Sequence, residues 1–199
     1  MSRSFAVTFD YRCPFARNVH EHLVAGLRAG ADWDVRFSPL SLSQLKVEAG
    51  ETDMWDAPEL DSGLLALQVG VAVRDTQPEH FLAVHEGLFA LRHDEARDLR
   101  DEDELRRVLD TAGADADAAF ATVATGAPLE AVRKEHEAAV SGHDVWGVPT
   151  FIVGDHAVFV RLMDRPTEAE AARRSIERIV EMAGDWPALN EFKHTSLSQ

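Results

Sequence analysis

The chain has 199 residues, which favours one domain or one domain with an insertion, and ~150 residues already suffice to bury most of the unfolded surface. Asp and Glu number 35 against 20 Lys and Arg, a formal charge of −15, which argues against a general binder of phosphate backbones and against docking on anionic lipid. One cysteine, Cys13, leaves no intramolecular disulfide and no cysteine-rich zinc site. Residues 1–10 carry no apolar stretch of signal-peptide length, and no run approaches the ~18 apolar residues of a membrane helix, so the expectation is a reduced, cytoplasmic protein.

In chain order, residues 5–9 (Phe-Ala-Val-Thr-Phe) read as a strand. Pro14 suits the first position of a helix, and Phe15, Val19, Leu23 and Leu27 recur every four positions along it, with Gly30 just past its end. Residues 33–37 alternate as a second strand, closed by Pro39. Residues 41–127 read as an all-helical insertion. One helix begins at Pro58 and carries Leu64, Leu65, Leu67, Val69, Val71 and Val73; a second begins at Pro78 and carries Phe81, Val84, Leu88 and Leu91. Residues 101–113 and 115–126 give two shorter helices, each opened by acids and ended by glycine, and residues 128–140 give another that returns to the core. Residues 150–153 and 157–160 with a Gly154-Asp155 turn read as a hairpin of open turn type. Thr167 with Glu170 predicts a capping box for a last helix through Ile176, Ile179, Val180 and Met182 to Gly184. In a tail over residues 185–199, Trp186, Leu189 and Phe192 are candidates to pin it to the body, with the last few residues fraying. The pattern β-α-β, helical block, α-β-β-α predicts an α/β sandwich.

Cys13 is the leading candidate for chemistry. It falls between a strand and Pro14, at the expected N-cap, where orphan N–H groups favour an anion and lower a thiol pKa from about 8.5. The alternative is a small buried hydrophobe. Gly147-Val148-Pro149-Thr150 is the second anchor, read either as an edge or turn proline or as a cis peptide that turns the Val148 backbone toward a ligand. Asp10 is a turn cap, a proton acceptor near the thiol, or a carboxylate that raises the thiol pKa by repulsion. Arg12 and Arg17 flank the thiol and are candidates to stabilise a thiolate, against surface arginine for at least one of them. Trp146 is a pocket wall or simply core. His20 and His22 are two apart on a helix and His80 and His85 five apart, neither a metal-ligand spacing, so no metal is expected. The acidic run 94–104 reads as a solvated link between helices.

Phe9-Asp10-Tyr11-Arg12-Cys13-Pro14-Phe15-Ala16, together with Gly147-Val148-Pro149-Thr150-Phe151, resembles the DsbA-like branch of the thioredoxin-fold superfamily, and the text looks like its actinobacterial members. The resemblance covers about residues 4–183. It implies a thioredoxin-like βαβ…ββα sandwich, discontinuous over 4–40 and 128–184, with the helical insertion at 41–127. Relatives in this branch include disulfide oxidoreductases, kappa-class glutathione transferases and 2-hydroxychromene-2-carboxylate isomerases. On this resemblance Cys13 matches the nucleophile, Pro149 the cis-proline facing it, and Val148 the residue whose backbone holds a thiol compound. Pro14, Phe15 and Trp146 complete the implied binding set. Asp164-Arg165 matches an Asp-Arg pair near where thiol cofactors bind in the isomerase and kappa-class relatives, with a solvated loop before Thr167 as the equal alternative.

The departure from the pattern is at Ala16, where the family motif Cys-x-x-Cys has its second cysteine. A dithiol protein resolves its mixed disulfide with that residue, so any cycle here uses an external thiol. The expectation is a monothiol thiol-disulfide oxidoreductase with no tightly bound cofactor, using mycothiol or glutathione as co-substrate and a disulfide or electrophile as substrate. The alternatives are a thiol-dependent transferase or isomerase and a non-catalytic binding protein on the same scaffold.

Overall fold

The computed structural model describes residues 3–191, 193 and 194. Strand β1 (Arg3–Phe9) pairs in parallel with β2 (Trp33–Pro39) through the crossover helix α1 (Pro14–Arg28). The chain then runs through α2 (Leu64–Thr76), α3 (Pro78–His93), α4 (Glu102–Thr111), α5 (Ala116–Ala124) and α6 (Ala127–His143). It returns to the sheet as a hairpin of β3 (Thr150–Val153) and β4 (His156–Phe159) and ends in α7 (Ala169–Asp185). The sheet order is β2-β1-β3-β4, with β3 antiparallel to β1 and β4 antiparallel to β3. This is a thioredoxin-like α/β fold with a helical insertion between its two halves.

Residues 5–9 of β1 are buried whichever way they point, so this central strand is covered on both faces. Helix α1 packs against α7, α7 lies over the β3–β4 hairpin, and α6 packs against β2. The α1 stripe of Ala16, Val19 and Leu23 is fully buried, and each large member contributes about 2 kcal/mol by leaving water. Proline is tolerated at the end of β2 because β2 is an edge strand, where the missing N–H breaks no ladder bond.

Three local expectations meet a different structure. The helix expected from Pro58 is split: Pro58–Leu60 forms one 3₁₀ turn, Asp61 is extended, and α2 starts at Leu64. The Asp61 carboxylate accepts the N–H of Gly63 at 2.8 Å and ion-pairs with Arg12, holding the chain out of helical geometry there. The capping box does not form, because α7 starts at Ala169 with Glu168 as its N-cap and the Glu170 carboxylate is engaged by Arg173. Trp186 is 58% exposed and does not anchor the tail, and Phe192 and residues 195–199 lie outside the described residues. By contrast Asp101 and Asp115 do cap α4 and α5 through their side chains. Among the described residues no helix is long and apolar enough to cross a membrane.

Candidate active site

At the C-terminal end of β1 the chain turns through residues 10–13, closed by the Cys13 N–H donating to the Asp10 carbonyl at 3.0 Å. Cys13 is the N-cap of α1 with extended backbone, and Pro14 occupies the first turn, where its lack of an N–H costs nothing. The Ala16 N–H donates to Cys13 Sγ at 3.4 Å, and the thiol donates to the Val148 carbonyl, also at 3.4 Å. The Val148–Pro149 peptide is cis. Its loop is held at both ends: the Thr150 N–H donates to Thr8 Oγ1 at 2.9 Å, and the Thr150 hydroxyl donates to the Gly147 carbonyl at 2.8 Å.

Cys13 is 9% exposed, and burial pushes its thiol up from the usual value. The backbone N–H groups of Ala16 and Phe15 pull it down and Asp10 pushes it up. The lowered pKa expected from the helix N-terminus is therefore corrected: the N–H groups act in the expected direction, and burial outweighs them. In the resting protein the sulfur is a protonated donor to Val148.

Asp10 is completely buried, and its two oxygens accept from the Arg12 backbone N–H, the Arg12 guanidinium and the Leu42 N–H. With its acceptor positions filled it is a keystone of the turn, and on the thiol it acts through its field rather than as a proton acceptor. Arg12 spans Asp10 and Asp61 and donates to Ser43, so its charge is spent there. Gly63 is required at this junction, since a Cβ would lie 2.6 Å from Arg12 Nε. Arg17 is likewise engaged, with Glu21 at 2.8 Å and Asp94 at 2.5 Å. Arg165 closes the same network by pairing with Glu21 at 2.6 Å, while Asp164 is exposed. None of Arg12, Arg17 and Arg165 is among the largest influences on Cys13.

The cation that does act on the thiol is Arg161, which favours the thiolate and which reasoning on sequence did not single out. Its guanidinium lies 5.1 Å from the Phe15 ring centre and 6.0 Å from that of Phe159. Trp146 is neither core nor a closed wall. It is 70% exposed and packs on Phe159 at 4.5 Å between ring centres. Pro14 is exposed, Phe15 is half-buried, and Val148 and Pro149 are buried at the base of the site. The signal that could have found Arg161 is hairpin register: Thr150 pairs with Phe159, and the Val160 N–H donates to the Pro149 carbonyl at 3.1 Å, which sets the next residue beside the loop.

Beneath the turn lies a buried polar chain. The Tyr11 hydroxyl is 2.9 Å from His85 Nδ1, His85 Nε2 is 2.9 Å from His20 Nδ1, and His20 Nε2 is 3.3 Å from the Thr8 carbonyl. A carbonyl only accepts, so His20 carries its proton on Nε2, His85 donates from Nε2, and Tyr11 donates to His85. Burial pushes His20 down to about 3 and His85 well below its usual value, so both rings are neutral. Among the described residues no group of three or more His, Cys, Asp or Glu is placed to hold a metal ion.

The family described as DSBA-like thioredoxin domain matches residues 6–167. No curated protein matches the sequence. Among solved structures, a 2-hydroxychromene-2-carboxylate isomerase is similar with a TM-score of 0.62 at 16% identity, over 90% of this chain and 97% of that one. DsbA of Pseudomonas aeruginosa is similar with a TM-score of 0.59 at 20% identity, over 90% and 83%. A periplasmic thioredoxin-like protein from Salmonella enterica serovar Typhimurium is similar with a TM-score of 0.57 at 20% identity, over 92% and 87%.

Proposed function

We propose a function that starts from membership: this chain belongs to the DSBA-like thioredoxin domain family, whose members are oxidoreductases or isomerases, and within it the chain is a monothiol thiol-disulfide oxidoreductase. The observation that carries the reading is a single sulfur, Cys13 Sγ, at the start of α1 and 3.4 Å from the Val148 carbonyl of the cis-proline loop, with Ala16 in place of a second cysteine. Cys13 loses its proton to solvent, and the thiolate attacks one sulfur of a disulfide RS–SR. The S–S bond breaks, a Cys13–S–SR bond forms and RS⁻ leaves. An external low-molecular-weight thiolate, of the mycothiol or glutathione kind, then attacks the R sulfur and returns Cys13 as thiolate. Each cycle exchanges disulfide partners, and no net electrons pass to the protein.

The test is intact mass after mixing with a small disulfide. One adduct on Cys13, released by added thiol and absent from Cys13→Ser, is the expected result. A folded protein that forms no adduct while its urea-unfolded form does would overturn the reading.

One observation favours a second reading. The Cys13 thiol is raised by burial and donates to Val148, an arrangement suited to orienting the sulfur of a bound thiol cofactor rather than attacking. On that reading the protein is a thiol-dependent isomerase or transferase, and Cys13→Ser, which keeps a donor in place, retains most of the activity.

A further inference from the structure

Arg161 stands out in a chain whose acids outnumber its bases 35 to 20. It is exposed, yet among the described residues it makes no ion pair, while Arg12, Arg17 and Arg165 around the same turn are all paired. Its backbone is fixed on both sides. The Val160 N–H donates to the Pro149 carbonyl at 3.1 Å, and Asn18 of α1 donates to the Leu162 and Met163 carbonyls at 2.9 and 3.0 Å. The guanidinium is placed by aromatic rings rather than by a carboxylate. Contact with the rings does not use up the guanidinium's five N–H donors, and among the described residues none of them donates a hydrogen bond, so they can serve a bidentate acceptor.

We propose that Arg161 is the carboxylate receptor of this site: the small disulfide that Cys13 attacks carries a carboxylate, which docks on the Arg161 guanidinium while one of its sulfurs meets Cys13. The inference rests on the thiol-exchange reading and adds the charge of the substrate to it. Charge complementarity makes the case. At long range the chain, with its charge of −15, repels anions, but at physiological salt that field is screened beyond about 8 Å. At the rim itself Arg161 lies over Phe15, two residues from Cys13, and follows the residue bonded to Pro149, and it favours the thiolate, while Asp10, the carboxylate that opposes it, is already saturated with donors. The exposed Trp146 and the half-buried Phe159 beside it offer apolar cover to the rest of the ligand.

The experiment uses three symmetric disulfides of similar size: dithiodipropionate, a dianion; bis(2-hydroxyethyl) disulfide, neutral; and cystamine, a dication. Rate constants for adduct formation at Cys13 are divided by those of a free cysteine peptide. The folded protein is expected to favour the dianion over the dication about tenfold beyond the peptide, as one partly screened charge pair allows. In Arg161→Gln the ratio falls to that of the peptide, Arg161→Lys retains part of it, and about 1 M salt erases it in the native chain. Arg36→Gln, on the exposed side of β2, leaves it unchanged. The ratio is insensitive to any change in thiolate fraction, which slows all three reagents alike. An unchanged ratio in Arg161→Gln, or a native preference for the dication, overturns the proposal alone. Failure of Cys13 to react with any of the three overturns the thiol-exchange reading as well.

Discussion

Acid will destabilise this fold well above the pH at which its carboxylates titrate, chiefly through the His20–His85 pair, with His136, pushed down to about 4 by burial, adding to the loss. The His20 and His85 rings are completely buried among Phe9, Phe37 and Phe89, and among the described residues no carboxylate forms an ion pair with either. Every nitrogen is already used: Nε2 of His20 for Thr8, Nδ1 of His20 for His85, Nδ1 of His85 for Tyr11. A proton added to His20 Nδ1 would put two N–H groups nose to nose, and one added to His85 Nδ1 would turn the Tyr11 hydroxyl into an acceptor and leave its own proton without a partner among these groups. The native state therefore stays neutral while the unfolded chain, with imidazoles near 6.5, takes up protons. A folded pKa below the unfolded one means stability that is complete above about pH 6.5 and is lost as the pH falls toward the folded value, which for His20 is about 3. Each neutral ring loses about 1.4 kcal/mol per pH unit, so going from pH 7 to pH 5 removes about 2 kcal/mol for His20 and a similar amount for His85. Together, roughly 4 kcal/mol is a large share of a typical domain stability of about 5–15 kcal/mol. Urea unfolding followed by circular dichroism across this range measures the slope, and long-range proton–nitrogen NMR reads the tautomers, both Nε2–H. A stability flat between pH 7 and pH 5, or a His20 or His85 ring that titrates in the folded protein, refutes the argument.

In Gly70→Ala the new methyl would lie 2.4 Å from the Tyr11 hydroxyl, so the urea midpoint should drop by the equivalent of about 2 kcal/mol; no loss would mean that Tyr11 is free to move. Asp10→Asn removes the charge that adds to the upward push on the thiol, so the pH profile of Cys13 alkylation should move to lower pH, while stability falls by about 3 kcal/mol as half-buried Arg12 loses a partner. Slower alkylation at neutral pH in that variant would instead mark Asp10 as a base. Arg161→Gln should move the same profile the other way. Arg165→Gln breaks a pair that is 55% exposed on the arginine side, and thermal melting should register less than about 1 kcal/mol.

The parts of the site that could be read from the chain were those whose meaning is local. A strand running into Cys13-Pro14 and a four-residue apolar period behind it define a helix start whatever the rest of the molecule does. Asp101 and Asp115 were legible as caps for the same reason. The parts that could not be read depend on contacts between distant segments. His20 and His85 fail as a pair on helix spacing because they sit on α1 and α3, and only the packing of those helices brings them together. Arg12 looked like a neighbour of the thiol in sequence, but Asp61, from the loop before α2, claims it. Arg161 owes its place to the register of β3 and β4, which a Gly-Asp turn read in isolation does not determine. The Thr167 and Glu170 spacing was a true motif in the wrong competition, since Arg173 and Arg174 outbid the helix end for the glutamate.

A raised thiol and a thiol-exchange function are compatible once both steps of the cycle are considered. Each unit of upward shift lowers the thiolate fraction tenfold at neutral pH, but the intrinsic nucleophilicity of the thiolate rises with its basicity by a factor of about three, so attack slows by only about threefold per unit. Release is affected differently. When an external thiol attacks the mixed disulfide, Cys13 is the leaving group, and a more basic sulfur leaves more slowly. In a protein with a second cysteine that delay would be bypassed by intramolecular attack, but Ala16 offers no sulfur. On the proposed cycle, the burial that raises Cys13 would therefore lengthen the life of the mixed disulfide, and the Asp10 field would lengthen it further. Arg161 works in the opposite sense, stabilising the thiolate as it leaves. On the proposed cycle, the balance between a carboxylate fixed under the turn and a guanidinium held by aromatic rings at the rim would set how long this site keeps its partner.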